Sequence, residues 1–347
     1  MKILFATYSL AFQNPGGGER VLLALRQELQ ALGHRVDLYD PWLHDPAEYE
    51  LVHYFSCVEN SFWEVVKESA PHVRLIVTPT LFISDDLKAP QSRLKRKITR
   101  FLSKSSDSPA TQFSRFALPD FWLPTTFSEL KGLETAFGIQ NDRMKVLPNG
   151  IHPAFLEKAE PELFRKNYEI EGDFVLHVGR FHPVKNQLRL MEATEKAEFN
   201  AVFIGSPDAE HSAYYRQCIS RASTSKVKIR IIPAMTQDNP LLASAYLAAS
   251  VFALPSEFET FGIAALEAAV AGCSLVLTQK IKSGEIFKEI AYFVEPDSTD
   301  EIVEGLKEAM SNPPSDGDLS IRKRLALIYS WPKIAKDLEQ IYFSLKP

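Results

Sequence analysis

The chain has 347 residues, of which 45% are hydrophobic, 24% charged and 11% aromatic. These proportions exclude a disordered or fibrous protein, and the length is sufficient for about two domains that each bury a core. The formal net charge of -5 argues against general nucleic-acid binding, because contact with a phosphate backbone requires a basic surface.

Six short β-strands are predicted in the first half of the chain, most of them separated by stretches with helical spacing. The first apolar run favours a strand over a signal peptide, because Tyr8 and Ser9 interrupt it. After it, apolar residues recur at three- and four-residue steps from Val21 to Leu32, and Gly33 is placed to end that helix. The six predicted strands are KILFATY, RVDLYD, LVHYFS, VRLIVTP, FWLPTT and MKVLPN.

The alternation of strands and helices restarts in the second half of the chain. The predicted strands there are FVLHVGR, AVFIGS, KIRIIPA, VFALPS, LVLTQ and AYFVEP. Two such runs predict an α/β protein with two doubly wound, mostly parallel sheets that bind ligands at the carboxyl ends of their strands. The polar segment near residues 151–172 is the predicted linker, and a cleft between the domains is the expected binding site.

Cysteine usage and hydropathy indicate where the protein works. Cys57, Cys218 and Cys273 are widely spaced and form no C-x-x-C pair, which indicates a reducing cytosol and no zinc site. No stretch reaches the roughly 18 apolar residues that a spanning helix needs, so any membrane contact is expected from outside. We therefore expect a cytoplasmic protein.

A basic amphipathic stretch, SRLKRKITRFLSK at residues 92–104, leaves two interpretations open. Its cations surround apolar residues, so the stretch can lie on an anionic membrane at the inner face and present a lipid-linked acceptor. It can equally be a solvated helix packed on the sheet. The net charge of the chain does not separate the two.

Three glycines follow the first predicted strand and open the helix that contains Glu19. Backbone N–H groups at Gly16, Gly17 and Gly18 can face an anion there, helped by the helix dipole. The alternative is a flexible turn. The spacing is neither Gly-x-Gly-x-x-Gly nor a Walker loop, which argues against NAD or P-loop ATP chemistry.

The stretch HVGRFHPVKNQ places two cations after the first strand of the second domain. Arg180 is at the carboxyl end of that strand and Lys185 follows five residues later, so both can reach the edge of the sheet where the carboxyl ends of the strands meet. A guanidinium and an ammonium can share the charge of a diphosphate through charge-assisted hydrogen bonds. The alternative is two solvated surface charges.

The stretch PSEFETFGIAALEAAVAG combines a helix start with two carboxylates. Gly262 lets the backbone from Phe261 to Ile263 approach a phosphate, because the first N–H groups of a helix are unpaired. Glu259 precedes the helix, whereas Glu267 lies within an almost wholly apolar segment and must find a hydrogen-bond donor or lose its charge. A ligand hydroxyl would serve; the alternative is a helix cap and a structural ion pair.

These motifs together resemble glycosyltransferase family 4, whose members are retaining enzymes of the two-domain GT-B fold that use nucleotide-sugar donors. The resemblance rests on the Gly-rich first loop, Gly-Arg-x4-Lys and Glu-x7-Glu, in that order, and runs from GGGERVLLALRQELQALGHRVDLY through VLPNGIHPAF to SWPKIAKDLEQIY. It implies two Rossmann-like domains facing a cleft. Residues 1–155 with the returning residues 331–347 would bind the acceptor, and residues 156–330 would bind the donor.

The resemblance also implies a role for each matched residue. Arg180 and Lys185 would hold the donor diphosphate, Glu259 would contact the hydroxyls of the transferred sugar, and Glu267 would bind the ribose; the first three would form the catalytic group. The nucleobase would meet main-chain groups near Pro233. The implied donor-binding residues are Gly16, Gly17, Gly18, Arg180, Lys185, Pro233, Glu259, Thr260, Phe261, Gly262, Ile263 and Glu267.

The expected activity is metal-independent transfer of a hexose or N-acetylhexosamine from a UDP- or GDP-sugar to an acceptor hydroxyl on a glycan, a lipid carrier or a small molecule. No cofactor is expected, since cations and helix dipoles replace a metal. The Asp316-Gly317-Asp318 sequence is interpreted as a turn and helix cap. The alternatives are a sugar-nucleotide-binding partner subunit without turnover, or a GT-B phosphorylase or epimerase.

The chain departs from the family pattern at one loop. Many relatives carry a histidine after the fourth strand, but here the stretch is IVTPTLFISDD, with Thr78, Pro79 and Thr80. Asp85, Asp86 or His53 could make acceptor contacts instead, although a surface cap or a satisfied core histidine is the favoured interpretation. The departure leaves the acceptor-side chemistry open.

Overall fold

The computed structural model describes residues 1–13, 16–57, 59–79, 108–152 and 159–345. The chain divides into two compact units, one made of residues 1–150 with 331–347 and the other of residues 151–330. The boundary thus falls five residues before the one predicted from the sequence. The basic stretch at residues 92–104, together with Thr80, Asp85 and Asp86, lies outside the described residues.

The first unit contains a parallel sheet of five strands in the order β2-β1-β3-β4-β5. The strands are β1 Lys2–Thr7, β2 Arg35–Leu38, β3 Leu51–Phe55, β4 Arg74–Thr78 and β5 Phe121–Trp122. The helices described between residues 1 and 150 are α1 Gly17–Ala31, α2 Phe62–Ser69, α3 Pro109–Ser114 and α4 Phe127–Phe137. The predicted first helix is confirmed, and it ends two residues before Gly33.

The sixth strand predicted for this unit, MKVLPN, is wrong. Met144 forms only an isolated bridge with Trp122, and the backbone then follows the loop after β5, where the Leu147 N–H donates to the Pro124 carbonyl at 2.9 Å. Pro148 has no N–H with which to extend a ladder. The apolar residues are buried here without forming a strand.

The second unit contains a parallel sheet of six strands in the order β11-β10-β9-β6-β7-β8, and all six predicted strands are confirmed. They are β6 Phe174–Val178, β7 Asn200–Ile204, β8 Ile229–Ile232, β9 Val251–Leu254, β10 Ser274–Thr278 and β11 Ala291–Val294. The helices from residue 159 onwards are α5 Pro161–Tyr168, α6 Gln187–Lys196, α7 Ser212–Ser223, α8 Pro240–Ala248, α9 Ile263–Ala271, α10 Gly284–Phe287, α11 Thr299–Ser311, α12 Asp316–Ile328 and α13 Trp331–Ser344.

Both faces of this second sheet are buried. Phe174 and Leu176 of β6 belong to one hydrophobic cluster, while Val175 between them belongs to another. Successive side chains of a strand point to opposite faces, so the two clusters lie on the two sides of the sheet. This explains why the strands are continuous apolar runs rather than alternating ones.

The predicted linker contains a helix that is part of the second unit. Phe164 of α5 is fully buried in the same cluster as Phe174, and its backbone N–H donates to the hydroxyl of Ser244 at 2.8 Å. The interpretation of residues 151–172 as a linker is therefore wrong from residue 161 onward. The charged residues that suggested a linker lie on the outer face of a short amphipathic helix.

The last helix, α13, belongs to the first unit and ties its two chain segments together. Its Tyr342 hydroxyl lies 2.6 Å from Nδ1 of His53 on β3, and the other ring nitrogen of His53 lies 2.9 Å from the hydroxyl of Thr78. His53 is thus the satisfied core histidine that the sequence favoured. Burial lowers the pKa of this ring to about 3. None of the helices in the described ranges is long and apolar enough to cross a bilayer.

We expect His53→Gln to reduce the loss of stability on acidification. In the folded chain the pKa of the His53 ring is about 3, so the ring stays neutral. In the unfolded chain the ring takes up a proton near pH 6.5. The contribution of the neutral His53 ring to the free energy of unfolding is therefore complete above pH 6.5. It falls as the pH drops, by about 2 kcal/mol between pH 7 and pH 5. Urea unfolding at the two pH values measures the difference.

The matched control is His72→Gln, because the His72 ring is exposed and its hydrogen bond goes to a surface carbonyl. This control should keep the pH dependence of the unaltered protein. The interpretation fails if His53→Gln loses as much stability between pH 7 and pH 5 as the unaltered protein does.

Candidate functional site

The predicted site residues of the second unit gather at one edge of its sheet. Strand β6 lies between β9 and β7, and all three run parallel, so their carboxyl ends meet at the same edge. The loops that leave this edge cover residues 179–186, 205–211 and 255–262. These three loops form the candidate site.

The first two of these loops are bound to each other through their backbones. The Gly179 N–H donates to the Ile204 carbonyl at 2.9 Å, and the Phe181 N–H donates to the Ser206 carbonyl at 2.9 Å. A Cβ atom on Gly205 would lie 2.0 Å from the Gly179 oxygen, a distance at which only glycine fits. The loop after β6 therefore has a fixed position against the loop after β7.

Arg180 is paired with a carboxylate that the sequence prediction did not include. Its Nη1 lies 3.1 Å from Oδ2 of Asp208, a buried residue in the loop after β7. Oδ1 of Asp208 accepts from Nδ1 of His211 at 2.9 Å and from the Glu210 N–H at 3.0 Å. Burial alone would raise the pKa of Asp208, but the hydrogen bonds from His211, Arg180 and the Glu210 amide lower it below its usual value.

Lys185 is paired with Glu259, so the structure brings these two predicted residues together. The Lys185 ammonium lies 2.6 Å from Oε2 of Glu259. Two further bonds join their loops: the Glu257 N–H donates to the Val184 carbonyl at 2.8 Å, and the Asn186 side-chain amide donates to the Pro255 carbonyl at 3.0 Å. The ammonium and the carboxylate are therefore held on a connected backbone.

The two pairs change the electrostatics expected from the sequence. Arg180 and Lys185 each face a carboxylate, so their charges are balanced locally rather than left as two bare cations. A guanidinium carries five N–H donors and an ammonium three, so each group can keep its carboxylate and still donate to a ligand. The site thus offers directed donors more than a strong net positive field.

His182, between the two cations, supplies another N–H group. Its Nδ1 accepts from the Val184 N–H at 3.0 Å and caps the short 3-10 helix Pro183–Lys185. In the neutral ring the proton must then be on the other nitrogen. Burial, followed by the neighbouring His211, lowers the pKa of His182 and so favours the neutral ring.

The third loop leads into helix α9 through Gly262. Gly262 has φ +72° and precedes Ile263, the first helical residue, while Thr260 and the buried Phe261 lie just before it. The left-handed backbone favours glycine at this position, and a Cβ atom on Gly262 would lie 2.9 Å from Cδ1 of Ile281 and would have to displace that methyl group. The start of α9 is thereby fixed at the same sheet edge as Arg180 and Lys185.

Glu267 lies inside α9 and has the donors that its apolar surroundings demand. It is 5% exposed. The Tyr246 hydroxyl of α8 donates to Oε2 at 2.7 Å, and the Gln237 side-chain amide donates to Oε1 at 3.0 Å. The expectation that this carboxylate finds hydrogen-bond donors is confirmed, and these two donors are neutral.

Pro233 lies in an exposed segment that follows β8, at the far side of the same sheet. Four residues later in this segment, Gln237 reaches Glu267. The segment that begins at Pro233 is thus attached to α9. The implied nucleobase and ribose positions therefore lie on neighbouring elements of one unit.

Gly16, Gly17 and Gly18 belong to the other unit, where they open α1. The Gly16 N–H donates to Oε2 of Glu19 at 2.6 Å, and Oε1 of Glu19 accepts from the Tyr8 hydroxyl at 2.7 Å. The Gly16 amide, which was expected to face a bound anion, thus donates its hydrogen bond to the carboxylate of Glu19 within the chain. A Cβ atom on Gly18 would meet no described atom within 4 Å.

Asp316, Gly317 and Asp318 form the first turn of α12. The Asp318 carboxylate accepts from the backbone and the hydroxyl of Ser315, and the Asp318 N–H donates back to that hydroxyl. This is a capping box, as the sequence interpretation held.

Sequence reasoning missed several residues that surround the predicted ones. They are Asp208 and His211 beside Arg180, His182 between the cations, and Gln237 and Tyr246 around Glu267. One usable signal existed: GSPDAEH follows the strand NAVFI directly, and polar residues after a strand of a parallel sheet mark its ligand-facing edge. The Gln237 and Tyr246 contacts had no such signal.

Comparison with known proteins follows the same division of the chain. The family described as "Glycosyl transferases group 1" matches residues 160–326, which lie in the second unit. A curated relative, the D-inositol 3-phosphate glycosyltransferase of Acidothermus cellulolyticus, is 28% identical over 186 residues, which cover 49% of this chain and 42% of that protein. The chain spans about half the length of the curated relatives that it matches.

Solved structures match the chain over nearly its full length. Sucrose-phosphate synthase from Thermosynechococcus elongatus has a TM-score of 0.77 at 17% identity and covers 99% of both chains. Anabaena HepE, solved in complex with UDP-glucose, has a TM-score of 0.73 at 14% identity and covers 99% of this chain and 100% of its own. The fold is therefore GT-B, with two parallel-sheet α/β units, and the relative from Acidothermus cellulolyticus is named a glycosyltransferase.

We expect Gly262→Ala to lower the free energy of unfolding by about 1–3 kcal/mol. An alanine at φ +72° costs about 1–2 kcal/mol, and its Cβ atom must also displace the tip of Ile281. Urea unfolding measures the loss.

Gly272→Ala is the matched control, because Gly272 ends the same helix at φ +94° but a Cβ atom there would meet no atom of the described residues within 4 Å. It should lose about 1–2 kcal/mol from backbone strain alone, which is less than the loss in Gly262→Ala. Equal losses in the two variants would contradict the close approach at Gly262.

Proposed function

We propose that the chain is a retaining glycosyltransferase that moves a hexose or N-acetylhexosamine from a UDP- or GDP-sugar to an acceptor hydroxyl. The observation that carries the proposal is the grouping of Arg180, Lys185 and Glu259 beside the Gly262-headed start of α9. Two cations and a carboxylate come together there on one sheet edge, and we assign them to the phosphates and the sugar of the donor. The family match over residues 160–326 supports the same activity.

The donor diphosphate would take the N–H groups that remain on Arg180 and Lys185. The first N–H groups of α9 add to these donors, since an anion is stabilised at a helix start. Because the cations are already paired, the diphosphate gains mainly from donors held in place before it arrives. In this proposal Pro233, Thr260, Phe261 and Ile263 contribute backbone contacts.

Glu259 would contact the hydroxyls of the transferred sugar. Its side chain is 12% exposed, and one carboxylate oxygen is bound by Lys185, which leaves acceptor lone pairs for a ligand. Glu267 would accept from the ribose hydroxyls, in place of or beside its present donors. Both carboxylates then recognise hydroxyl groups and transfer no protons.

Bond cleavage in this scheme is driven by charge. As the bond between the anomeric carbon and the phosphate oxygen breaks, negative charge develops on the diphosphate and positive charge on the sugar. The departing phosphate oxygen takes the proton of the acceptor hydroxyl, whose oxygen bonds to the anomeric carbon from the same face. The products are a glycoside of retained configuration and a nucleoside diphosphate.

The choice of donor rests on the similar proteins. Anabaena HepE was solved with UDP, with UDP and glucose, and with UDP-glucose, which supports a uridine nucleotide within our proposal. The acceptor is a glycan, a lipid-linked or a small-molecule hydroxyl. A cytoplasmic location and contact of residues 92–104 with an anionic membrane stay predictions.

One observation favours a second candidate, a subunit that binds a sugar nucleotide without turnover. The described end of β4 carries Thr78 and Pro79, where the resemblance implies a histidine facing the sugar in many relatives, and Thr78 is engaged with His53. A binding subunit would show nucleotide affinity without release of nucleoside diphosphate.

We expect a panel of UDP-, GDP- and ADP-sugars to contain at least one that stabilises the protein. A ligand at one hundred times its Kd adds about 2.7 kcal/mol to the free energy of unfolding, which a thermal-shift assay detects. Release of the matching nucleoside diphosphate then separates a transferase from a binding subunit. Absence of both signals with every donor would refute the proposal.

Lys185→Ala should lower the release rate by about a hundredfold, since it removes a donor to the leaving group. Lys196→Ala is the matched control, because Lys196 is also ion-paired, with Glu192, but on the surface of α6. Lys196→Ala should retain the rate of the unaltered protein. Equal rates for Lys185→Ala and Lys196→Ala would remove Lys185 from the proposed site.

Removal of divalent cations should leave the rate unchanged, because the proposed site uses Arg180, Lys185 and a helix start where other enzymes use a metal. The assay is nucleoside diphosphate release after treatment with EDTA, with and without added Mg²⁺ or Mn²⁺. A rate that falls with EDTA and returns with the cation would refute metal-independent transfer.

A further inference from the structure

Asp208 has no role in the proposed function, yet it is the residue that holds the tip of Arg180. Its side chain is 8% exposed, compared with 35% for that of Arg180. Three donors converge on its two oxygens: Nη1 of Arg180 at 3.1 Å, Nδ1 of His211 at 2.9 Å and the Glu210 N–H at 3.0 Å. Such a carboxylate is fixed in both position and charge.

The backbone on which Arg180 stands is also fixed. The side-chain amide of Gln187, a fully buried residue, donates to the Arg180 carbonyl at 2.8 Å. The next residue, Phe181, exchanges backbone hydrogen bonds with the segment that carries Asp208, since its N–H donates to Ser206 and its carbonyl accepts from Asp208. With the backbone held, Arg180 can still move mainly by rotation about its side-chain torsions.

The contact with Asp208 removes that freedom. A guanidinium is planar, so a bond from one nitrogen to a fixed carboxylate orients its remaining N–H groups as well. The rotamer entropy is then lost before any ligand arrives, and a ligand that uses those N–H groups binds with a smaller entropic cost. The Asp208 carboxylate also reduces the net positive charge of the site, so its benefit to ligand binding lies in orienting the N–H groups of Arg180.

We propose that Asp208, anchored by His211, is a positioning residue that fixes the Arg180 guanidinium for the diphosphate of the sugar donor. This inference rests on the proposed function. Asp208 acts through Arg180 and does not itself contact the ligand, because a buried carboxylate and a diphosphate repel each other.

A metal site is the competing interpretation of the same residues. His182, Asp208 and His211 each offer a ligand atom, and these atoms lie within 4.8 Å of one another. Two observations weigh against it. The Asp208 carboxylate already binds the Arg180 cation, and Nδ1 of His182 accepts from the Val184 N–H, which leaves the proton on the nitrogen that would have to bind the metal.

The first test compares binding of a nucleoside diphosphate with binding of its nucleoside by calorimetry, with UDP, GDP and ADP as probes. Asp208→Ala should weaken the diphosphate about tenfold and leave the nucleoside unchanged. In an Arg180→Gln background the same change should have less than about a twofold effect, because the group that Asp208 positions is gone.

Two variants separate positioning from folding. Asp208→Asn keeps an oxygen for the Glu210 N–H, so the cap of the 3-10 helix Ala209–His211 survives, but its amide no longer offers a carboxylate to Arg180. It should reproduce the diphosphate defect with an unchanged melting curve. Asp45→Ala is the matched control, since Asp45 caps the 3-10 helix Pro46–Glu48 in the same way within the other unit. This variant should bind the nucleoside diphosphate as the unaltered protein does.

A ligand-free measurement keeps the inference testable apart from the proposed function. In nitrogen-15 arginine-labelled protein, the Arg180 guanidinium should show restricted rotation that is lost in Asp208→Asn and kept in Asp45→Ala. If the spectra behave this way but the unaltered protein binds no nucleoside diphosphate, then the proposed function fails and the role of Asp208 in binding fails with it.

Four other results would overturn the inference while nucleotide binding stands. They are an unchanged Arg180 signal in Asp208→Asn, equal weakening of nucleoside and diphosphate, full additivity with Arg180→Gln, and Zn²⁺ or Co²⁺ binding by the unaltered protein that His182→Ala and Asp208→Asn abolish. The last result would assign the carboxylate to a metal.

Discussion

Parallel pairing of β6 with β7 and β9 is the constraint on which the candidate site depends. It places the carboxyl ends of three strands at one edge, so that the residues following them in sequence become neighbours in space. The glycine at position 205 then lets the first two loops approach within backbone hydrogen-bonding distance. Without that approach Asp208 could not reach Arg180.

The electrostatic character of the site follows from the pairing of its charges. In each ion pair the carboxylate is the less exposed partner, Asp208 and Glu259, and the cation is the more exposed one. This arrangement turns the N–H groups of the cations outward while the carboxylates fix them from behind. The pairing lowers the net positive potential of the site but fixes the orientation of its N–H donors. Oriented donors suit recognition of a diphosphate, whose charge is spread over several oxygens.

Most of the fold could be predicted because its signals are local. Strands buried on both faces are continuous apolar runs, and eleven of the twelve predicted strands exist. The exception, MKVLPN, has the right composition but contains Pro148 and forms only one isolated bridge, and hydrophobic periodicity does not report which strands are available for pairing. Likewise the polar surface of α5 concealed the single buried Phe164 that anchors it to the core.

The candidate site was predictable in its outline but not in its pairs. Arg180, Lys185 and Glu267 could be chosen because a cation after a strand, or a carboxylate in an apolar helix, is unusual for its position. Their partners are harder to choose: Asp208 is marked only by its place in a polar loop after a strand, and Tyr246 is not marked at all, because a tyrosine in a helix is common. Their importance comes from distances of 3.1 Å and 2.7 Å across elements far apart in the chain.

The donors to Glu267 differ in a way that bears on the proposed function. Tyr246 is fully buried on α8, so its hydroxyl is part of the core, whereas Gln237 lies in the segment that begins at the exposed Pro233. A ribose hydroxyl that binds Glu267 would therefore replace the amide of Gln237 more readily than the phenol of Tyr246. Under the proposed function, freeing Gln237 would also free the segment that meets the nucleobase, so recognition of the sugar and of the base would be linked through this one hydrogen bond.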